Sequence, residues 1–289
     1  MDNLYQNLRK QLRPIKIYTK KILKYFSKLI LFFIPNIILD FTLERKKICK
    51  KNSISFSIRD YGENCRFRSS TFTTKEPDTL KWIESFDKDS IFIDIGANLG
   101  IYSLYASFFS KKVLSFEPDA LNYSLLNLNI LDNKLAHKII AYPLSIHKIS
   151  EFNTLNIQKY EYGGALSSFS NETDQFQKKF LPTFKQGSYA KSLNDVYNEL
   201  VASESNNSQD IHCKIDVDGN EKIIMDGAIE ILKSKKIKSF LIELDTSRDD
   251  YDSTIKIFKD FKYDLISKKS SPMFKEVFVT TQNHIFYAS

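Results

Sequence analysis

Hydrophobic and polar positions follow three successive regimes along the chain. Between Pro14 and Pro35, Ile15, Tyr18, Ile22, Tyr25, Phe26, Leu29, Phe32 and Phe33 recur at three- and four-residue steps, while Lys16, Lys20, Lys24 and Lys28 recur every four. At about 100° per residue the two stripes face nearly opposite sides, which predicts an amphipathic helix. From Ser53 to Thr74 the pattern alternates (Ile54, Phe56, Ile58, then Phe67 and Phe72) and predicts strands about a turn at Gly62–Asn64, followed by a short helix over Glu76–Phe86.

After Ser90, short continuous apolar runs alternate with helical periodicity. Ser90–Ile95 leads into a helix through Ile101, Leu104, Tyr105 and Phe108, and Val113–Phe116 into one through Leu121, Leu125, Leu128 and Leu131. Lys138–Tyr142 is a third run. Ile211–Val217 precedes a helix through Ile223, Ile224, Ala228, Ile231 and Leu232, and Ile237–Leu244 precedes one through Tyr251, Ile255, Ile257 and Phe258. Late strands near Tyr263–Ile266 and Val277–Tyr287 bring the total to seven. This alternation predicts an α/β, Rossmann-like fold: a mostly parallel seven-stranded sheet with helices on both faces. The stretch from about Glu151 to Asp210 interrupts it as a long, polar, irregular insertion, with a helix near Ser192–Val201 and a Ser/Asn linker over 203–209. The expected organisation is an arm over 1–52, lead-in strands and a helix over 53–89, and the main domain over 90–289.

Composition narrows the function classes. With 42% hydrophobic and 13% aromatic residues the chain has material for a core, so general disorder is excluded. No apolar run reaches the roughly 18–20 residues of a spanning helix. Leu29–Phe41 is broken by Pro35, Asn36 and Asp40, and no small-residue cleavage site follows it. Three cysteines without pair spacing and four histidines outside any ligand pattern argue against a disulfide framework or a zinc cluster, and fit a reducing, cytoplasmic setting. The first 52 residues hold thirteen Lys/Arg against three acids, so a chain total of +7 leaves the other 237 residues at −3. A mildly acidic body argues against nucleic acid as a partner. The basic, aromatic-rich arm suits an anionic membrane surface, with packing on its own domain as the alternative.

The candidate chemistry lies at the strand ends, where open α/β sheets bind ligands. Read in order, these are Asp94, Glu117, Asp216, and Glu243 with Asp245. Core packing does not call for an acid closing four of five strands; a shared cleft does. The loop Asp94-Ile-Gly-Ala-Asn-Leu-Gly100 pairs a tight turn at Gly96 with Asn98 as a candidate cap for the next helix. Its G-x-x-x-G spacing is not the G-x-G-x-x-G of pyrophosphate binding. Glu117, about twenty residues on, is placed to accept both ribose hydroxyls. A nucleoside cofactor without a pyrophosphate fits this set, and S-adenosylmethionine is the expected one. Lys214 shares a strand face with His212 and Asp216, and a lysine in a doubly covered strand calls for a partner or a task. Gly163-Gly164, in a chain with only eight glycines, marks a backbone passing close to something, with a simple turn as the alternative.

Phe92-Ile-Asp-Ile-Gly-Ala-Asn-Leu-Gly-Ile-Tyr-Ser, then Phe116-Glu-Pro-Asp, then Lys214-Ile-Asp-Val-Asp-Gly-Asn-Glu221 resemble the FkbM-type methyltransferases over roughly Ser90 to Asp245; Leu193-Asn-Asp195 is similar to that family's Leu-Asp-Asp stretch. The resemblance implies a class I methyltransferase fold and S-adenosylmethionine-dependent O-methylation, often of sugar hydroxyls in surface glycans or natural products. On that basis Asp94, Gly96, Asn98 and Gly100 would hold the methionine end of the cofactor and Glu117 its ribose, with Ser145 near the adenine. Asp218 departs from the pattern, which has Glu there. Lys214, Asp216 and Glu243 are the expected catalytic residues: Asp216 as base or cofactor anchor, Lys214 orienting the hydroxyl or a neighbouring anion, and Glu243 orienting Lys214 or joining Asp216 in an ion site. His147 and His212 are weaker candidates for the base. The expected acceptor is a sugar or glycolipid. A nicotinamide-dependent sugar oxidoreductase or epimerase and a non-catalytic, membrane-docked module are the rival readings.

Overall fold

The structure is a computed structural model that describes residues 18–24, 26–27, 44–202, 209–273 and 280–289. Most of the arm predicted over 1–52, the 203–208 linker and the start of the strand predicted from Val277 lie outside these residues. Residues 18–24 and 26–27 are helical and belong to a unit separate from the compact unit Lys46–Ser289.

That compact unit opens with an antiparallel pair, β1 (Lys46–Lys51) and β2 (Ile54–Arg59), so strand structure begins inside the stretch that charge assigns to the arm. The lysines of β1 point outward and only Cys49 is buried there, which explains why a strand carries an arm-like composition. The alternation read through Phe67 and Phe72 gives helix α1 (Glu63–Ser70) instead of a strand. The buried positions, Cys65 and Ser69, are four apart, and a helical period overrides the sparse apolar alternation.

Next come α2 (Pro77–Glu84), β3 (Ile91–Ile95), α3 (Ile101–Ala106), β4 (Lys112–Phe116), α4 (Ala120–Asp132) and β5 (Ile139–Tyr142). After β6 (Ser145–Ile146), the insertion contains β7 (Glu151–Ile157), β8 (Ser168–Phe169) and β9 (Phe184–Lys191), ending in α5 (Leu193–Val196) and a π-helical turn over Tyr197–Val201. The chain then runs through β10 (Ile211–Ile215), α6 (Glu221–Asp226), α7 (Ile229–Ser234), β11 (Ser239–Asp245), α8 (Tyr251–Asp260), β12 (Tyr263–Ser270) and β13 (Thr281–Ala288).

The main sheet has seven strands in the order β12-β13-β11-β10-β3-β4-β5, parallel from β5 to β11, with β13 antiparallel to both neighbours. The expected mostly parallel seven-stranded sheet is therefore present. Alternate residues serve its two faces: Phe92 packs with Trp82, Leu104 and Leu125 from α2, α3 and α4, whereas Ile93 and Ile95 pack with Leu193, Ile224, Ile231 and Phe258 from α5 to α8.

The insertion is not irregular. With β6, which precedes it, the insertion forms a second, four-stranded sheet, β6-β9-β7-β8, with a small core of Leu155, Ile157, Phe169 and Ala190. A sheet with one wet face needs few apolar residues, so it reads as polar loop in the sequence.

His212 and His284 give the fold a pH dependence. His212 stacks on Phe86, its Nδ1 lies 2.6 Å from Ser239 Oγ, and its Nε2 is buried with no partner among the described residues. Burial pushes its pKa down to about 4, Asp210 and Lys238 exerting opposing lesser effects, and burial does the same to His284. Both stay neutral in the native protein where the unfolded chain takes up protons. The stability they contribute is therefore complete above pH 6.5 and falls as pH drops towards 4, by up to roughly 3 kcal/mol per histidine. Thermal melts between pH 7 and 4.5 should show this decline, and His212→Asn should flatten it. Equal slopes in variant and wild type would discount His212.

Candidate active site

Every predicted strand-end acid lies along the carboxyl edge of the parallel sheet, but not all reach open space. Two hollows adjoin there. The first, about 620 Å³ including its mouth open to solvent, has a wall that includes Gly96, Asn98, Glu117, Ser145, Asp216 and Asp218. The second, of about 1310 Å³, shares Gly96, Asn98, Asp216 and Asp218 and extends past Glu243 to Lys75, Glu76 and Asn283. The segment 163–168 divides them: Gly164 and Ser167 face the first, Gly163 and Leu166 the second, and Ala165 both.

The first loop is held from two sides. Gly96 N and Ala97 N both donate to Phe116 O at 3.0 Å, while Asp216 N donates to Ile95 O. Gly96 has φ +80°, and a Cβ there would lie 1.9 Å from the Asp216 carbonyl oxygen. Only glycine lets β3 and β10 end so close together.

Asn98, predicted as a helix cap, does not cap. Gly100 is the N-cap of α3, and Asn98, with φ 51°, accepts from Leu99 N and donates through Nδ2 to Gly164 O at 2.7 Å. Asn122 of α4 completes the clamp, donating to the same carbonyl and accepting from Gly163 N. The Gly163–Gly164 turn is thus the point where the insertion docks on the sheet edge. Leu166 N adds a bond of 2.7 Å to Asp218 Oδ2, so the carboxylate that departs from the family pattern holds the dividing segment.

Glu117 is buried and accepts from Asn98 N through Oε2 and from Asp119 N through Oε1. Each oxygen keeps a second lone pair towards the hollow. Burial pushes this carboxyl up to about 8, against the two amides that favour its charge. Ser145 lines the same hollow, with Oγ 3.3 Å from Ser188 Oγ.

Asp94 and Gly100 border neither hollow. Asp94 is 1% exposed, lies beside Lys214 in strand register, accepts from Ser103 Oγ, and has Oδ1 without a partner among the described residues. It supports the loop from one layer below. Gly100 is a packing glycine: φ is +81° and a Cβ would meet Leu126 Cδ1 at 2.3 Å.

Lys214 is the densest point of charge. Its Nζ lies 2.7 Å from Asp216 Oδ2 and 5.0 Å from the Tyr102 ring centre, and only 1% of the residue is exposed. Lys75 pairs with Glu76 Oε1 at 2.8 Å, and Glu76 Oε2 accepts from Thr79 Oγ1 and Asn283 Nδ2. Carboxylate oxygens of Glu76, Asp216 and Glu243 lie within 4.8 Å of one another, a spacing a hard cation could use, although Lys75 and Lys214 already offset part of the charge. The neighbours split the three acids. Against the cost of burial, Lys214 and Lys75 hold Asp216 far below the usual carboxylate range, and Lys75 and Lys214 also lower Glu76. Burial and the Asp216 charge push Glu243 well up.

Lys75, Glu76 and Asn283 carry no signal in the sequence. Glu76 reads as the residue before a helix-starting proline, and Asn283 lies in a late antiparallel strand; the pairing of β13 with β11 sets Asn283 opposite Glu243, and its bond to Glu76 Oε2 ties that residue to the group. His212 is buried beneath Phe86 and borders neither hollow, and His147 is packed against Phe169 in the insertion.

Residues 94–265, more than half of the chain, match the family profile of the methyltransferase FkbM domain. The chain belongs to this FkbM methyltransferase family. It is accordingly an S-adenosylmethionine-dependent methyltransferase, and the nicotinamide oxidoreductase and non-catalytic readings are set aside. The close glycine turn at Gly96 and the spare acceptor capacity of Glu117 fit that cofactor. No curated protein matches the sequence.

Among solved structures, the methyltransferase is similar to precorrin-6y C5,15-methyltransferase from Geobacter metallireducens GS-15 (10% identity, 74% of this chain and 87% of that chain, TM-score 0.39). It is also similar to the M. jannaschii tRNA m1G37 methyltransferase (14% identity, 85% of this chain, TM-score 0.43), of which it covers 55%. A third likeness is M. jannaschii TYW2 in complex with AdoMet (11% identity, 85% and 88%, TM-score 0.41).

Proposed function

We propose that this methyltransferase transfers a methyl group to a hydroxyl of a sugar in a surface glycan or glycolipid. The observation that carries the reading is the shared wall: Gly96, Asn98 and Asp216 border both hollows, so a cofactor in the first meets an acceptor in the second at Asp216. Asn64, Gln158, Gln175, Thr281 and Asn283 line the second hollow with amides and a hydroxyl, groups suited to a polyol.

S-adenosylmethionine, when bound, supplies a methyl carbon activated by a sulfonium. The residues have to orient the hydroxyl in line with it, exclude water and receive one proton. Glu117 holds the ribose and Ser145 lies by the adenine. Asp216, kept ionised by Lys214, serves as an anchor and orienting acceptor, and of the two roles the sequence leaves open it is too acidic for the base. Glu243 lines the acceptor hollow with a carboxylate oxygen within 4.8 Å of one on Asp216, and its carboxyl, pushed up by burial and by the Asp216 charge, holds a proton more readily than Asp216 does, so it takes the role of proton acceptor. The test is to incubate the protein with methyl-labelled cofactor and a glycan extract, then identify the labelled sugar by mass spectrometry. Label found only in protein or nucleic acid would overturn the acceptor class.

A peripheral membrane role rests on a separate observation. On the helical residues 18–24 and 26–27, Tyr18, Ile22 and Phe26 recur every four residues and are 69%, 53% and 62% exposed, alongside Lys20, Lys21 and Lys24. No helix among the described residues is long and apolar enough to cross a membrane. An interfacial helix on the cytoplasmic face fits both facts and would bring the enzyme to lipid-linked acceptors. The full chain should sediment with anionic liposomes at low salt, Ile22→Glu/Phe26→Glu should abolish this, and failure of the wild type to bind would end the proposal.

A further inference from the structure

S-adenosylmethionine ends in an amino-acid tail whose carboxylate is buried with the rest of the cofactor and therefore needs a cationic partner. The sequence supplied acids, glycines and an asparagine for that end, and no cation. Behind the Gly96 loop lies a third, narrower recess that continues from the two hollows and runs from Gly96 to Tyr102, with three basic residues on its wall: Arg68, Lys75 and Lys214. Lys214 is committed to Asp216 and Lys75 to Glu76. Arg68, in the last turn of α1, is different. Its Nε donates to Gly163 O at 3.1 Å, which braces the side chain, while Nη1 and Nη2 have no partner among the described residues.

Arg68 also lines the second hollow, so its guanidinium stands where recess and hollow meet over the Gly96–Asn98 loop. Its charge favours the ionised forms of Glu117, which lines the first hollow, and of Asp216 and Asp218, which border both. We infer that Arg68 binds the carboxylate of the cofactor's amino-acid tail. The inference rests on S-adenosylmethionine being the cofactor. It assigns a binding residue to α1, ahead of the matched family region 94–265. The planar fork of the guanidinium suits a carboxylate, and the bond to Gly163 ties that grip to the segment dividing cofactor from acceptor.

Two ligands that differ in the tail test this. S-adenosylhomocysteine carries the carboxylate, whereas 5′-methylthioadenosine keeps the nucleoside and lacks it. In calorimetry on the full chain, Arg68→Ala should weaken S-adenosylhomocysteine by about 10- to 100-fold, the usual size of a charge-assisted contact, and leave methylthioadenosine within about two-fold. Arg68→Lys should fall between. Retained methylthioadenosine binding shows at the same time that the variant is folded. Equal losses for both ligands would mean that Arg68 only supports the loop, and would overturn the inference. Unchanged S-adenosylhomocysteine affinity with a raised KM for the acceptor would also overturn it, moving the anion to the acceptor. Wild type that binds neither ligand would instead contradict the cofactor itself.

Discussion

Gly96→Ala should abolish cofactor binding. The added methyl would fall 1.9 Å from the Asp216 carbonyl oxygen and 2.9 Å from its carbon, contacts that only movement of the main chain can relieve. The loop has little room to yield, because Gly96 N and Ala97 N are tied to Phe116 O on one side and Ile95 O accepts from Asp216 N on the other. The left-handed φ of +80° adds about 1–2 kcal/mol of strain for alanine, and overpacking adds roughly 1–3 kcal/mol. Separating the ends of β3 and β10 also moves Asn98 and Asp216, which border the cofactor and acceptor hollows alike. Affinity for S-adenosylhomocysteine should drop at least 100-fold in calorimetry, a loss of about 2.7 kcal/mol, with a clearly lowered melting temperature. Gly187→Ala is the control: nothing lies within 4 Å of that position, and both quantities should hold. An alanine variant at 96 that binds within ten-fold of wild type would falsify the pinned-loop account.

Glu243→Gln should lower kcat by about 10²–10⁴-fold with cofactor affinity unchanged. The variant keeps size and one acceptor oxygen but cannot take up the proton released by the acceptor hydroxyl. A drop in kcat below two-fold would remove Glu243 as the base. Lys214→Ala should behave differently. The sequence casts Lys214 as a catalytic residue, but it is 1% exposed and paired with Asp216 at 2.7 Å. Removing it leaves Asp216, whose side chain is 20% exposed, beside Glu76 and Glu243 without its main counter-charge. Breaking a fully buried pair costs about 3–5 kcal/mol; with Asp216 open to the hollows the loss is smaller, and denaturant unfolding should show it alongside that of turnover. A stable, inactive Lys214→Ala protein would favour the sequence-based view.

The parallel sheet was legible because a strand buried on both faces has to be apolar throughout. Ile91–Ile95 and Ile211–Ile215 therefore stand out, and in each the charged residue, Asp94 or Lys214, marks the edge where chemistry gathers. The second sheet was hidden, because Glu151–Ile157 and Phe184–Lys191 turn one face to water and bury few apolar side chains. Helix α1 was misread because two apolar residues outweighed the four-residue spacing of Cys65 and Ser69.

By itself the sequence determined the strand–helix order, the glycine turn after the first parallel strand, the acids at the strand ends and the family they spell. These are local properties: each depends on residues within a few positions of one another, or on a motif read in order. The tertiary structure alone decided which acids face open space, that Lys75, Glu76, Asn283 and Arg68 join them, that Asn98 and Asn122 clamp Gly164, and that neighbouring charges separate Asp216 from Glu243 in acidity. Those facts depend on distance and dielectric between segments far apart in the chain, and no sequence period encodes either.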